Sequence, residues 1–396
     1  MTSSEQMRRW TGPALFTYGF RPFFLFGALW AALAMCLWIP MLSGLLELPT
    51  RLDAVSWHAH EFLFGYLGAI IAGFLLTAVP NWTGRLPVVG WQLAALFGLW
   101  VAGRVAVSAS ALMPAGLPAA IDLAFPLVLG AVILREIIAG KNWRNLIVLG
   151  LLAVFTLANL VFHIEAAQGA YAAQGAGLRL GLATAVMMIA VIGGRIVPSF
   201  TRNWLVKQGI EARPAAPMQR LDKLVLVASV AALLTWVLVP ERMEAGLALI
   251  LTGALHAVRL ARWQGHRTLR EPLLWVLHAT YALIPLGAVM LGLGIVANVA
   301  WTAAAQHIWM AGAIGGMTLA VMTRATLGHT GQQLVAGKGT VMIYLALLSS
   351  VAARLAVGAL PDVRGLTTLS GALWLAAFGG FAVVYGPCLL SYRKES

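Results

Sequence analysis

The sequence predicts an all-α integral membrane protein of twelve transmembrane helices, and three observations support this fold class. Of the 396 residues, 60% are hydrophobic and 10% are charged, whereas a soluble domain carries about 25% charged residues. The apolar residues form runs of roughly twenty, which is the length that crosses a bilayer as a helix. The longest hydrophilic stretch, 202–223, is too short to form a soluble domain.

The predicted spans follow one another along the chain, separated by short loops that contain proline or glycine. Each is an apolar run of a length that can cross the hydrocarbon core of a membrane. In chain order the spans are 20–40, 57–80, 90–110, 117–139, 144–166, 178–200, 221–240, 243–262, 272–296, 302–324, 340–360 and 366–391. We therefore expect a single transmembrane domain over residues 1–396.

The distribution of positive charge along the chain predicts the orientation of the protein in the membrane. The formal net charge is +13, but the basic residues lie in short clusters between apolar runs, so we expect no nucleic-acid partner. If the N-terminus is cytoplasmic, twenty of the 27 lysines and arginines lie on the cytoplasmic side and five on the other. Because lysine and arginine accumulate in cytoplasmic loops, both termini are predicted to be cytoplasmic.

The second, sixth and tenth spans end in similar segments, which are AGFLLTAVPNWTGR at 72–85, VIGGRIVPSFTRNW at 191–204 and GGMTLAVMTRATLGHTG at 315–331. Four spans separate each segment from the next. This spacing predicts three four-helix repeats, at about 15–140, 141–262 and 263–391, because self-similarity at a fixed interval is typical of repeats. The alternative is shared helix-end chemistry, in which proline stops a helix and glycine or asparagine follows it.

The chain has eight histidines, and a helical rise of about 1.5 Å per residue assigns each a depth in the membrane. The histidines predicted near the outer side are His58, His60, His163 and His307. Those predicted towards the inner side are His256, His278 and His329. Because His307 and His329 would lie about 33 Å apart along one helix, they cannot bind the same metal. His266 lies in a basic loop and is expected to be solvated.

The histidines within the spans are candidate metal ligands, because ionisable side chains in hydrocarbon usually face a cavity or a cofactor. Imidazole binds iron and copper well, and few acids accompany these histidines, so we expect haem or copper. The first candidates for ligating haem iron are His60, His58 and His307. His163 is the candidate for a nearby metal contact. The candidates for a second metal site, on the inner side, are His256, His278 and His329.

Several of these assignments have alternatives. His256 and His278 can instead form hydrogen bonds across helices. His58 and His60 are two residues apart, which on a regular helix directs them to different sides. Either only one of the pair binds metal, or the segment is not helical and both converge. His307 and His163 have no specific alternative beyond ordinary burial.

Five further charged residues are relevant to the candidate site. Arg195 and Arg324 could pair with haem propionates or extend to the membrane surface. Arg104 lies within the third span and needs a partner, such as Asp122 or a backbone carbonyl. Glu61 is the candidate proton donor for a reaction at the metal. Glu165 is a weaker candidate, since its predicted position is in the headgroup region.

Four segments of the sequence resemble the NnrS family. They are PALFTYGFRPFF at 13–24, WHAHEFLFGY at 57–66, AGFLLTAVPNWTG at 72–84 and AVMTRATLGHTG at 320–331. The resemblance implies a multi-pass protein of the bacterial inner membrane that contains haem and copper. It also implies a role in nitric oxide metabolism or in the defence against nitrosative stress. It does not identify the ligands of either metal.

A looser similarity, at the level of fold, is to the catalytic subunit of haem–copper oxidases and nitric oxide reductases. Those proteins also have twelve helices in three arcs of four, with histidines on the second and tenth. In the oxidases, helices six and seven supply active-site ligands, but the corresponding spans here contain no histidine. We therefore expect any copper to be held differently.

Together these observations predict a haem protein, with copper, that binds or reduces nitric oxide at a haem site. The sequence has no CxxCH motif, so the haem is expected to be b-type and non-covalently bound. Whether the protein is a nitric oxide reductase-like oxidoreductase, and what its electron donor is, stay open. The alternatives are non-catalytic binding of nitric oxide or metal nitrosyls, and a cofactor-free proton-coupled transporter.

Overall fold

Twelve long helices make up most of this computed structural model, which describes residues 10–211, 213–299, 301–360 and 363–392. In chain order they are α1 Phe20–Leu42, α2 Ala54–Thr83, α3 Trp91–Ser108, α4 Leu117–Ala139, α5 Trp143–Ala167, α6 Ala176–Lys207, α7 Arg220–Leu238, α8 Met243–Ala261, α9 Pro272–Val296, α10 Thr302–His329, α11 Lys338–Ala359 and α12 Leu366–Leu390. All twelve are long and apolar enough to cross a membrane, and these described ranges contain no strand. The predicted all-α fold with twelve spanning helices is confirmed.

The limits of α2 follow from two local features of the sequence. At its start, the Asp53 carboxylate accepts hydrogen bonds of 3.0 Å from the amides of Val55 and Ser56, as a helix N-cap does. At its end, Gly84 has a φ of 69°, a left-handed conformation that favours glycine. These residues bound the helix that carries His60.

The two prolines of the similar segments lie inside helices. Pro80 is within α2, which continues to Thr83, and Pro198 is within α6, which continues to Lys207. Neither proline therefore ends its helix, as the alternative of shared helix-end chemistry would require. Proline removes one backbone hydrogen bond, whereas ending a helix in an apolar environment would leave several carbonyls without partners.

Two of the spans contain a π-helical turn. In α2, the α-helical segment Ala54–His60 is followed by π-helical Glu61–Tyr66 and then by α-helical Leu67–Thr83. In α10, π-helical Ile308–Ile314 follows directly after His307. A π turn changes the direction of the side chains that follow it and often occurs at functional sites. In both spans a histidine immediately precedes the turn.

The chain divides into two compact units. The first comprises the described residues up to Gly181, Ala325–Gln333 and those from Phe378 onward, and the second comprises Leu182–Arg324 and Leu334–Ala377. In the first unit, α2 contacts α1 and α4, and α4 also contacts α3 and α5. In the second unit, α8 contacts α7 and α9, and α10 contacts α9 and α11. The helices α2 to α5, all in the first unit, carry the candidate site described below.

Two features of the predicted organisation stay predictions. The three repeats, at about 15–140, 141–262 and 263–391, have limits different from those of the two units. The cytoplasmic position of both termini rests on the charge count alone. Four of the twenty basic residues in that count, Arg8, Arg9, Arg393 and Lys394, lie outside the described residues.

Candidate metal centre

Helix α2 contributes two adjacent polar side chains to the interior of the first unit, His60 and Glu61. Both are fully buried, with 0% exposure. His60 is the last residue before the π turn and Glu61 is its first residue. Nδ1 of His60 lies 2.9 Å from Oε1 of Glu61, so the orientation of the ring is held by its neighbour in the chain.

Helices α3 and α4 contribute a buried ion pair. NH1 of Arg104 on α3 lies 2.8 Å from both carboxylate oxygens of Glu61. NH2 of the same guanidinium donates to Oδ1 of Asp122 on α4. The prediction that Arg104 needs a partner such as Asp122 is therefore confirmed. Arg104 joins two carboxylates from two different helices.

Two glycines make room for this ion pair. A Cβ atom at Gly65 would lie 2.4 Å from NH1 of Arg104 and 2.9 Å from Oε2 of Glu61. A Cβ atom at Gly103 would lie 3.0 Å from Oδ1 of Asp122. Because the interior of a protein is closely packed, a larger residue at Gly65 would displace the guanidinium.

Helix α5 contributes Asn159 and His163, which are four residues apart and so lie on the same face of the helix. Nδ2 of Asn159 donates to Oδ2 of Asp122 at 2.7 Å, and its Oδ1 lies 3.0 Å from Nε2 of His60. Nε2 of His163 lies 3.1 Å from the same Oδ2 of Asp122. Side chains of α2, α3 and α5 therefore converge on one carboxylate of α4.

His60, Asp122 and His163 form a group that could hold a metal ion, since their ligand atoms lie within 4.8 Å of one another. Oδ2 of Asp122 is 3.2 Å from Nε2 of His60 and 3.1 Å from Nε2 of His163. A tetrahedral ion bound at about 2.0–2.1 Å holds its ligand atoms about 3.3 Å apart. Glu61, at the other ring nitrogen of His60, is the kind of partner that metal-binding imidazoles have. Within the part of the chain that the structure describes, no second group of three such side chains is found.

The formal charges of this centre do not cancel. One guanidinium, that of Arg104, faces the carboxyl groups of Glu61 and Asp122, and all three side chains are at most 5% exposed. Unbalanced charge in a low-dielectric interior is costly. A cation at the imidazoles, either a proton or a metal ion, would balance the charge.

His58 points away from the centre. Its ring stacks on Trp38 with 4.0 Å between ring centroids and lies 4.4 Å from the ring of Phe62. The segment Ala54–His60 is a regular helix. Of the pair, only His60 reaches the other side chains of the centre, as the first alternative requires. Metal binding by either histidine stays a prediction.

His307 and Glu165 lie elsewhere. His307 belongs to the second unit, where its Nδ1 lies 2.7 Å from the carbonyl oxygen of Ala303. Because that contact occupies Nδ1, Nε2 is the nitrogen that can act as a ligand. The carboxylate of Glu165 accepts hydrogen bonds of 2.7 Å and 3.1 Å from the amides of Ala176 and Gly177 at the start of α6. Glu165 therefore caps a helix.

His256 and His278 form the hydrogen bonds that were the alternative to metal binding. Nε2 of His256 lies 2.9 Å from Oγ of Ser229, and its Nδ1 lies 3.0 Å from the hydroxyl of Tyr281. Nε2 of His278 lies 2.8 Å from Oγ1 of Thr201. These contacts join different helices of the second unit. A metal site at these histidines stays a prediction.

The remaining residues predicted for the site are more accessible. His329 is exposed, as is His266, which was expected to be solvated. Arg195 is half-buried. Arg324 is also half-buried, and its guanidinium carbon lies 4.2 Å from the ring centre of Phe200, a cation–π contact. Pairing of the two arginines with haem propionates stays a prediction.

Asp122 and Asn159 were not predicted to belong to the centre. The prediction was based on the depth of the histidines, and Asp122 entered it only as a partner of Arg104. A usable signal was the spacing of Asn159 and His163, two polar residues four positions apart in an apolar span. Such a pair lies on one face of a helix and predicts a shared polar partner on a neighbouring helix.

The comparison with known families identifies the chain. A family model described as NnrS protein matches residues 14–393, nearly the whole chain. The chain belongs to the NnrS family. The NnrS family is linked to the response to nitric oxide, and the match confirms the resemblance of the four segments. No curated protein matches the sequence significantly. The candidate metal centre lies within the region matched by the NnrS model.

Proposed function

We propose that this NnrS family member is a protein of the bacterial inner membrane that binds nitric oxide at a metal ion held by His60, Asp122 and His163. The observation that carries the proposal is the convergence of two imidazole nitrogens and one carboxylate oxygen within 4.8 Å of one another. Ionisable groups inside membrane spans are costly and usually serve a function. The family's link to nitric oxide supplies the candidate ligand.

The donor set narrows the choice of metal. Imidazole suits copper, iron and zinc, and two imidazoles with one carboxylate are typical of non-haem iron sites. Since nitric oxide is a redox-active ligand, we propose copper or non-haem iron. Three protein ligands leave a coordination position open, and the bound ion would supply that position together with one-electron chemistry.

The surrounding residues of the chain hold the three ligands in place. Glu61 accepts from Nδ1 of His60 and so directs Nε2 towards the ion. Arg104 fixes Glu61 and Asp122 through three contacts, and Asn159 donates to Asp122 at 2.7 Å. Partners of this kind typically change metal affinity about 10–100-fold. Glu61 is thus a positioning residue, and its role as a proton donor stays a prediction.

The surroundings of His60 suit an ion better than a haem. Its ring centroid lies 5.4 Å from those of Phe64 and Phe162 and 4.9 Å from that of His163. An axial ligand needs a porphyrin plane against its coordinating nitrogen, and these neighbours occupy that space.

Haem binding at His307 is a second candidate function. The contact between Nδ1 of His307 and the carbonyl of Ala303, at 2.7 Å, orients the imidazole as carbonyl partners do for metal-binding histidines. We expect His307→Ala to remove the Soret absorption of protein purified from haem-supplemented cells, whereas His266→Ala keeps it. A full Soret band in His307→Ala would contradict this assignment.

Two other functions would use the same centre differently. A nitric oxide reductase would need an electron donor and protons, and a cofactor-free transporter would use the imidazoles to move protons. Anaerobic titration of the purified, metal-loaded protein with nitric oxide distinguishes these functions from our proposal. Repeated consumption of nitric oxide with a chemical reductant would identify a reductase.

In that titration we expect saturable binding at about one nitric oxide per ion, the number of open positions left by three protein ligands. His163→Ala should weaken binding by about tenfold or more, through the loss of metal. His266→Ala, an exposed loop residue, is the control and should bind as the wild type does. Absence of binding by metal-loaded wild-type protein would overturn the proposed function.

A further inference from the structure

A small cavity lies beside the metal centre in the first unit. Its volume is about 340 Å³, including the part that is open to the surroundings. Its interior has room for about one molecule of the size of water. Most of its wall is apolar and includes Phe64, Phe125, Leu129, Leu152 and Phe155. The cavity is too small for a cofactor such as haem.

The polar part of the cavity wall adjoins the metal centre. Asp122 and Asn159 line the cavity, and both also contact Nε2 of His60, at 3.2 Å and 3.0 Å. On α5, Leu152, Asn159 and His163 are separated by seven and four residues and so lie on one face of the helix. The cavity therefore reaches Asp122, one of the three ligands of the proposed ion, and lies next to the two histidines.

Arg104 also lines the cavity. Its Nε is buried without a hydrogen-bond partner among the described residues. The two other nitrogens of the guanidinium are bound to Glu61 and Asp122. A buried donor without a partner is unfavourable, so a weak acceptor atom that reached Nε would gain a contact.

Two residues of the cavity wall lack a group that other residues have. Pro126 lines the cavity and has no N–H group, so the carbonyl of Asp122, four residues earlier, lacks its helical hydrogen bond. Gly68 also lines the cavity, and a Cβ atom there would meet only Cε1 of Phe125, at 4.0 Å. The cavity therefore has space for a side chain at position 68.

We propose that this cavity is the binding and access site for an uncharged molecule of two or three atoms on its way to the metal centre. The inference rests on the proposed function for the ion beside the cavity, and nitric oxide is the ligand it then admits. The apolar walls disfavour ions, because an unpaired charge is costly to bury. A small uncharged gas can reach such a cavity through the hydrocarbon of the membrane.

The test fills the cavity and leaves the metal ligands unchanged. Gly68→Leu would extend into it, whereas Gly98→Leu adds the same side chain at a helical glycine with no atom within 4 Å of its Cβ position. We expect xenon or krypton density in pressurised crystals of Leu129→Ala, which enlarges the cavity, and none when Gly68→Leu is added to it. Adding Gly98→Leu instead should leave the density in place. In metal-loaded protein, Gly68→Leu should slow nitric oxide association at least about tenfold while metal content stays unchanged.

A second variant should change the association rate of nitric oxide in the opposite direction. Leu129→Ala enlarges the cavity and should increase both noble-gas occupancy and the association rate, and it decides the question if Gly68→Leu does not fold. Absence of noble gas from Leu129→Ala would overturn the inference, as would an unchanged association rate in both variants. Because the noble-gas measurement needs no metal, it tests the cavity even if the proposed function is wrong.

Discussion

Asp122 connects more of the site than any other residue does. Its carboxylate contacts Arg104, Asn159 and both histidines of the centre, His60 and His163, and it is 2% exposed. A carboxylate in a membrane span is tolerated when charged and polar groups surround it. Because a buried arginine is costly without a partner, the pairing of Asp122 with Arg104 could be predicted from the sequence. Its contacts with the histidines could not be predicted, because depth along a helix does not specify which neighbours a side chain faces.

Removing the charge of Arg104 should destabilise the protein strongly. Arg104→Met would leave two buried carboxyl groups without their cation, which costs about 3–5 kcal/mol. Arg135→Met is the matched control, because Arg135 also contacts a glutamate, Glu136, but is 56% exposed; its pair should contribute about 1 kcal/mol or less. Thermal unfolding in detergent compares the two. Equal losses of stability would contradict the buried network.

The π turn of α2 is the element that sets the geometry of the centre. It begins at Glu61, directly after His60, and contains Gly65. The apolar run predicted this span at 57–80, but hydropathy carries no information on whether a turn has the α or the π form. For the same reason the sequence left open whether the segment of His58 and His60 is helical, and the structure shows a regular helix before the turn.

Gly65→Ala should disturb the centre through this turn. Its Cβ would lie 2.4 Å from NH1 of Arg104, and overpacking of this kind costs about 1–3 kcal/mol. Gly98→Ala, at a helical glycine with open space around it, should be neutral or stabilising by about 0.5–1 kcal/mol. Thermal unfolding and metal content should be measured for both. A Gly65→Ala protein with the stability and metal content of the wild type would count against a close fit at Arg104.

At the scale of the whole molecule, the number and order of the spans could be predicted because each needs only about twenty apolar residues. The helices α6 and α10 continue past the predicted ends of their spans, at 200 and 324, to Lys207 and His329.

The cytoplasmic location of both termini is a prediction from the charge bias. A reporter that is active only outside the cytoplasm should give no signal when it is fused to the C-terminus. A strong signal would contradict the predicted orientation.

The metal content of purified protein is the most direct test of the central claim, that the buried histidine–aspartate cluster holds an ion. We predict about one copper or iron ion per chain, as three convergent ligands imply, and its loss in Asp122→Asn and in His60→Ala. His329→Ala, at an exposed histidine, should retain the ion. A wild-type protein that is properly folded yet metal-free after expression with ample copper and iron would contradict the claim, as would full metal content in both cluster variants.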